Sequence, residues 1–125
     1  MKKAIATKNA PMAIGPYSQA IESNGFIFVS GQIPIDPATG DFVQGGIKEQ
    51  AEQSFRNIKA ILAEAGVGMD NIVKTTVLLY DIADFTAVNE VYAKQFTGDF
   101  PARSAFAVKD LPKGALVEIE VIAVR

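Results

Sequence analysis

Hydrophobic and polar positions near the end of the chain alternate with a period of two. From Leu116 to Val124, Val117, Ile119 and Val121 fall on one face of an extended strand; Leu116, Glu118, Glu120, Ile122 and Val124 fall on the other. The first face is wholly apolar and calls for a covering layer of helices. The second sets two carboxylates among large aliphatic side chains, a mixture that neither a solvated surface nor a closed core favours. It suits a subunit interface that also holds a polar pocket. Upstream, the segment from Phe100 reads as another strand, and Pro112 and Gly114 punctuate a turn over Lys109 to Gly114. The two strands are expected to form a hairpin, with Arg103 just after Pro101 on the first and Glu118 on the second.

The earlier pattern supplies the other elements. Lys3 to Ala6 reads as a short edge strand, followed by a loop through Asn9, Pro11, Gly15 and Pro16. Ser18 to Glu22 and Phe26 to Ser30 are strands joined by Ser23-Asn24-Gly25, where Asn-Gly is a strong hairpin signal. Phe26 to Val29 is apolar on both faces, so that strand is expected in the sheet interior. From Ile47 to Ala65 the period becomes helical, with Ile47, Ala51, Phe55, Ile58, Leu62 and Ala65 in one stripe and Gly66 as the stop. Ile72 to Tyr80 reads as a strand. Asp84 reads as the N-cap of a second helix, Phe85 to Thr97, with an apolar stripe of Phe85, Val88, Tyr92 and Phe96 and Asn89 beside it. The order βββ-α-β-α-ββ predicts an α+β fold, a mixed six-stranded sheet with two helices on one face. Two helices cannot cover both sides, so association between copies is the economical way to bury the other.

Composition narrows the chemistry. The chain has 125 residues, 49% hydrophobic and 21% charged, which fits one domain spanning 1–125 with a real core. Net charge is −2 and no basic block exists, which lowers the expectation of a nucleic-acid partner. No apolar run approaches the roughly 20 residues of a membrane helix, and the basic start lacks an apolar signal region. Cytoplasmic residence is the expectation. There is no cysteine and no histidine, which removes disulfides, thiolate nucleophiles, Ser-His-Asp triads and imidazole or thiolate metal sites. Acid–base work falls to Asp, Glu, Tyr, Lys or water. No clustered acidic motif supports a metal, and no phosphate-binding glycine loop is present.

Several stretches together resemble the RidA/YjgF family of enamine/imine deaminases from end to end. They are Asn9-Ala10-Pro11, Ala13 to Ala20 (AIGPYSQA), Val29 to Pro34 (VSGQIP), Asn57 to Leu62, Val73 to Val77, Val88 to Tyr92, Phe100 to Ser104 (FPARS) and Val117 to Ala123. None is specific alone; all of them in order are. The resemblance implies a chorismate-mutase-like α+β fold assembled as a homotrimer with three clefts between subunits. It also implies cofactor-independent, metal-free hydrolysis of 2-aminoacrylate/2-iminopropanoate and 2-iminobutanoate to 2-oxo acids and ammonia. In that pattern Arg103 binds the substrate carboxylate and Glu118 positions or deprotonates water. Tyr17, Ser30, Gly31 and Asn89 line the pocket. Ala105 stands where many bacterial members have cysteine, keeping the backbone N–H and losing the thiol.

Each residue also has a plainer reading. The fork of Arg103 grips a carboxylate bidentately, or it forms a structural ion pair with Glu118 or Glu120. Glu118 suits a general base because an imine carbon is already electrophilic; burial would raise its pKa and a nearby Arg103 would lower it. Glu120 reads as a structural or interface charge. Tyr17 is otherwise packing, Ser30 otherwise satisfies backbone groups, Gly31 otherwise permits a bend, and Asn89 otherwise bonds along its helix. Two other functions stay open: a small carboxylate-binding regulatory module without turnover, and an RNA-directed translation inhibitor or ribonuclease.

Overall fold

Asn24 and Gly25 both take left-handed backbone, φ 52° and 81°, the geometry that a two-residue hairpin turn demands. They join β2 (Ala20–Ser23) to β3 (Phe26–Gln32), as the sequence predicts. The computed structural model describes all 125 residues. Its other elements are β1 (Lys3–Ile5), α1 (Ile47–Glu64), β4 (Ile72–Leu79), α2 (Phe85–Ala93), β5 (Ala102–Ala107) and β6 (Val117–Val124). The six strands form one mixed sheet in the order β1-β2-β3-β6-β4-β5. β1 is an edge and β3 is interior, both as expected.

The terminal hairpin does not form. β5 runs parallel to β4 with Thr75 opposite Arg103, while β6 lies antiparallel between β3 and β4. The crossover through α2 returns the chain beside β4 in the same direction, leaving β5 on the outer edge. The connection from Val108 to Leu116 is too long for a tight hairpin and carries β6 past β4 into the middle. A strand whose inward positions Val117, Ile119, Val121 and Ala123 are all at most 3% exposed is best satisfied with a neighbour on each side.

The helices cover one face only. α1 packs on β3, β6 and α2, and its stripe of Ala51, Phe55, Ile58, Ile61 and Leu62 is buried against the inward residues of the sheet. Gly66, at φ 83°, ends α1: its N–H donates to the Ala63 carbonyl at 3.0 Å and the Val67 N–H to Leu62 at 3.0 Å, closing a Schellman motif. α2 is shorter than its periodicity predicts, ending at Ala93 rather than Thr97. The Thr97 hydroxyl and N–H both donate to Asp70, drawing the segment off the helix axis while Phe96 stays buried. Asp84 precedes α2 without a side-chain cap bond; Asp81 instead accepts from the Ala83 N–H at 2.9 Å and caps the preceding 3-10 turn.

The opposite face carries Phe26 and Phe28 from β3, about 45% exposed, with half-buried Leu78, Ile122 and Val124 and exposed Phe106 and Glu120. Inside the core, the Ser54 hydroxyl is fully buried with no hydrogen-bond partner. Because an unpaired buried hydroxyl costs about 1–3 kcal/mol, Ser54→Ala is expected to stabilise the protein by about 1 kcal/mol, read as a higher urea midpoint at unchanged slope.

Candidate active site

The expected site residues separate into two groups on opposite faces of the sheet. Arg103 is in register with Thr75, whose hydroxyl is buried and hydrogen-bonded to the Tyr92 hydroxyl of α2 at 2.8 Å. It therefore projects toward the helix layer. Glu118 is in register with Leu78 on the open face. Since β4 also lies between their strands, the two side chains do not meet within one chain, which corrects the hairpin expectation.

α2 builds the seat of Arg103. Phe85, Asn89 and Tyr92, spaced i, i+4 and i+7, lie along one helical face. The guanidinium carbon sits 4.7 Å from the Tyr92 ring centroid and 5.2 Å from that of Phe85. Nη1 donates to Asn89 Oδ1 at 2.7 Å. No carboxylate pairs with it: the ion pairs in the chain are Lys48–Glu90 and Arg125–Glu22. Two aromatic faces and one neutral acceptor hold the cation and leave its remaining donors for an anion. Around it Asn89, Tyr92, Ala93, Phe100, Pro101 and Arg103 line a pocket of about 490 Å³. Ala105 lies two residues along β5, packed against the core, on the strand whose outer edge is unpaired.

Glu118 lines the second pocket, about 350 Å³, with Tyr17, Gly31, Gln32, Ile33 and Lys113 among its walls. Its carboxyl is raised above the ordinary glutamate value, first by burial and then by the like charge of Glu120 two residues away on the same face. Arg103 plays no part in that shift. Ser30 is half-buried behind Gly31, and its hydroxyl donates to the Ser18 carbonyl at 2.6 Å, the backbone-satisfying role that serines at strand ends take. Tyr17 is about half exposed at the pocket mouth, its N–H bonded to the Gly15 carbonyl at 2.9 Å.

Phe85 and Tyr92 as the cation's aromatic seat were not foreseen, because their helical stripe reads equally well as core. Asn89 at the middle of an i, i+4, i+7 set was the available signal. Lys113, with non-glycine left-handed backbone at φ 58°, and the apolar walls Met12, Ile14 and Ile35 were missed as well. Only the turn punctuation at Pro112 and Gly114 pointed there.

A six-stranded mixed sheet backed on one face by two helices, with a free guanidinium on an edge strand and a desolvated carboxylate on a central one, defines a distinct class of α+β protein. The chain belongs to the RidA/YjgF family: residues 7–125 match its model, described as Endoribonuclease L-PSP. It is 50% identical over 125 residues to the 2-iminobutanoate/2-iminopropanoate deaminase of Mus musculus, covering 100% of this chain and 93% of that one. The crystal structure of a Yersinia pestis protein of unknown function from the conserved Rid family superposes with a TM-score of 0.97 at 56% identity, with full coverage of both chains. That of Escherichia coli TdcF with bound serine superposes at 0.94, with 44% identity and 98% of each chain covered.

The raised carboxyl has a stability consequence. Glu118 contributes stability that is fully present below its unfolded-state pKa and is lost as pH rises through its raised folded value. Glu22, lowered by its hydrogen bond to Arg125, has the opposite sign and loses its contribution as pH falls through its folded value. Carboxyl carbon NMR is expected to show Glu118 titrating above Glu22 and above the ordinary glutamate range. Coincident titration would refute the assigned burial.

Proposed function

We propose that the protein hydrolyses 2-imino acids, 2-iminopropanoate and 2-iminobutanoate, to 2-oxo acids and ammonia. The reaction takes place in clefts formed where the Arg103 pocket of one copy meets the Glu118 pocket of another in a homotrimer. The observation that carries this reading is an uncompensated guanidinium on one sheet face and a desolvated, unpaired carboxylate on the other. The two halves complement each other but cannot meet in a single chain. The deaminase name borne by whole-length relatives at about half identity supports the same chemistry, and the exposed aromatic and aliphatic side chains of the open face support association.

In the proposed cycle the substrate carboxylate pairs with Arg103, whose plane is fixed by Tyr92, Phe85 and Asn89. Fixing the anion fixes the imine carbon, which needs orientation more than activation. Glu118 accepts a proton from water as the water oxygen bonds to that carbon. Starting from the protonated imine, the tetrahedral carbinolamine takes that proton on nitrogen; Glu118 then accepts the hydroxyl proton as the C–N bond breaks, ammonia leaves and the C=O of the 2-oxo acid forms. A carboxyl raised toward neutrality suits these transfers. Apolar pocket walls at Met12, Ile14, Ile33 and Ile35 receive the short aliphatic side chain and exclude bulk water.

The RNA-directed alternative draws on the family description, endoribonuclease; incubation of the protein with labelled RNA tests it directly. For the deaminase reading, a charge-assisted anchor is worth about 1.5–3 kcal/mol, so Arg103→Ala is expected to lower kcat/KM for 2-iminobutanoate about tenfold to a hundredfold with the assembly intact. The substrate is generated in situ by a threonine dehydratase, and 2-oxobutanoate appearance is the readout. Unchanged turnover removes the anchoring role. Glu118→Gln is expected to be similarly slow. Refolding Arg103→Ala together with Glu118→Gln should restore part of the activity, because mixed assemblies contain clefts with both groups. No recovery would argue that the site is not shared between copies.

A further inference from the structure

We infer that Gly31, with the β-bulge that contains it, is a positioning residue for Glu118: its missing side chain is the seat on which the carboxylate rests. The inference deepens the deaminase reading and rests on Glu118 acting as its base.

Val29 pairs with Val121 and Gln32 with Ile119, so Ser30 and Gly31 together oppose the single residue Glu120. That is a two-against-one bulge, a device that re-aims neighbouring side chains. A Cβ on Gly31 would lie 2.1 Å from Glu118 Oε2, 2.8 Å from Cδ and 3.2 Å from Cγ. The whole outer half of the glutamate therefore lies on bare backbone. The φ of Gly31 lies outside the left-handed range that excludes side chains, so glycine is required here by space and not by backbone conformation.

Nothing else fixes the carboxylate. Neither a hydrogen bond nor an ion pair from the chain reaches it, although Lys113 and Tyr17 share its pocket and Glu120 shares its strand face. The bulge itself is fastened on three sides. The Ser30 N–H donates to the Gln19 carbonyl at 2.9 Å, its hydroxyl donates to the Ser18 carbonyl, and Gln32 Nε2 donates to the Ser30 carbonyl at 3.1 Å. Gln19 is in turn tied to Thr7 on both its N–H and its carbonyl and to the Pro11 carbonyl. The hydroxyl of Ser30 is thus committed to holding the bulge, and Ser30 too is a positioning residue rather than a substrate ligand.

The test uses the full-length protein. In Gly31→Ala, kcat for 2-iminobutanoate is expected to fall about tenfold to a hundredfold, while the affinity for 2-oxobutanoate changes by less than about threefold. The Glu118 carboxyl resonance should titrate lower, toward the ordinary range, as the displaced group enters water. Ser30→Ala adds no bulk and should move kcat and the titration in the same directions by less. It also serves as the readout if Gly31→Ala does not fold. An unmoved Glu118 titration in the folded variants overturns the inference, as does a loss confined to KM, which would make Gly31 mere room for substrate. Full turnover by Glu118→Gln would instead overturn the base assignment, leaving the titration to judge the positioning on its own.

Discussion

The structure depends on a sheet that is dry on one side only. Two helices are enough to bury the inward face of the sheet and leave its other face open. That imbalance decides where chemistry can sit. Charges cannot enter the helix-covered layer without partners, so the core carries apolar groups and neutral polar ones, bonded like the Thr75–Tyr92 hydroxyl pair except for the Ser54 hydroxyl. The open layer accepts one half-buried carboxylate, Glu118, whose partial desolvation raises its pKa. Arg103 escapes the rule because β5 is an edge: its strand faces the helices, but its guanidinium reaches past Tyr92 to solvent.

The two polar halves are held in different ways. The cation is fixed by specific partners, two rings and an amide, all from one face of a short helix. The carboxylate has no partners and takes its place from shape. A group held by bonds keeps its orientation when a ligand arrives; a group held by shape stays free to exchange a proton without breaking a native hydrogen bond. The division fits an anchor and a base, respectively.

Much of this was legible in the chain. The period-two pattern of β6 separated Val117, Ile119 and Val121 from Glu118 and Glu120, because alternate burial is a local property of a strand. The β2–β3 turn was legible for the same reason: Asn24-Gly25 carries its own backbone preference. Partner choice was not. Whether β6 pairs with β5 or with β3 and β4 depends on residues far away in sequence, and the local turn signal at Pro112 and Gly114 is equally compatible with either. The end of α2 depended on a bond from Thr97 to Asp70, again distant. Arg103 and Glu118 were recognisable as chemistry from their types and settings. Their placement on opposite faces followed only from the strand order.

That order also governs how the molecule comes into being. β6 is made after the other five strands, yet it occupies the middle of the sheet, between β3 and β4. Until it emerges, β3 and β4 each present an unpaired edge, and the growing sheet is then at its most adhesive. A nascent chain of this architecture cannot close its sheet in order of synthesis; closure waits for β6. Loss of β6 would leave two open seams in the middle of the sheet.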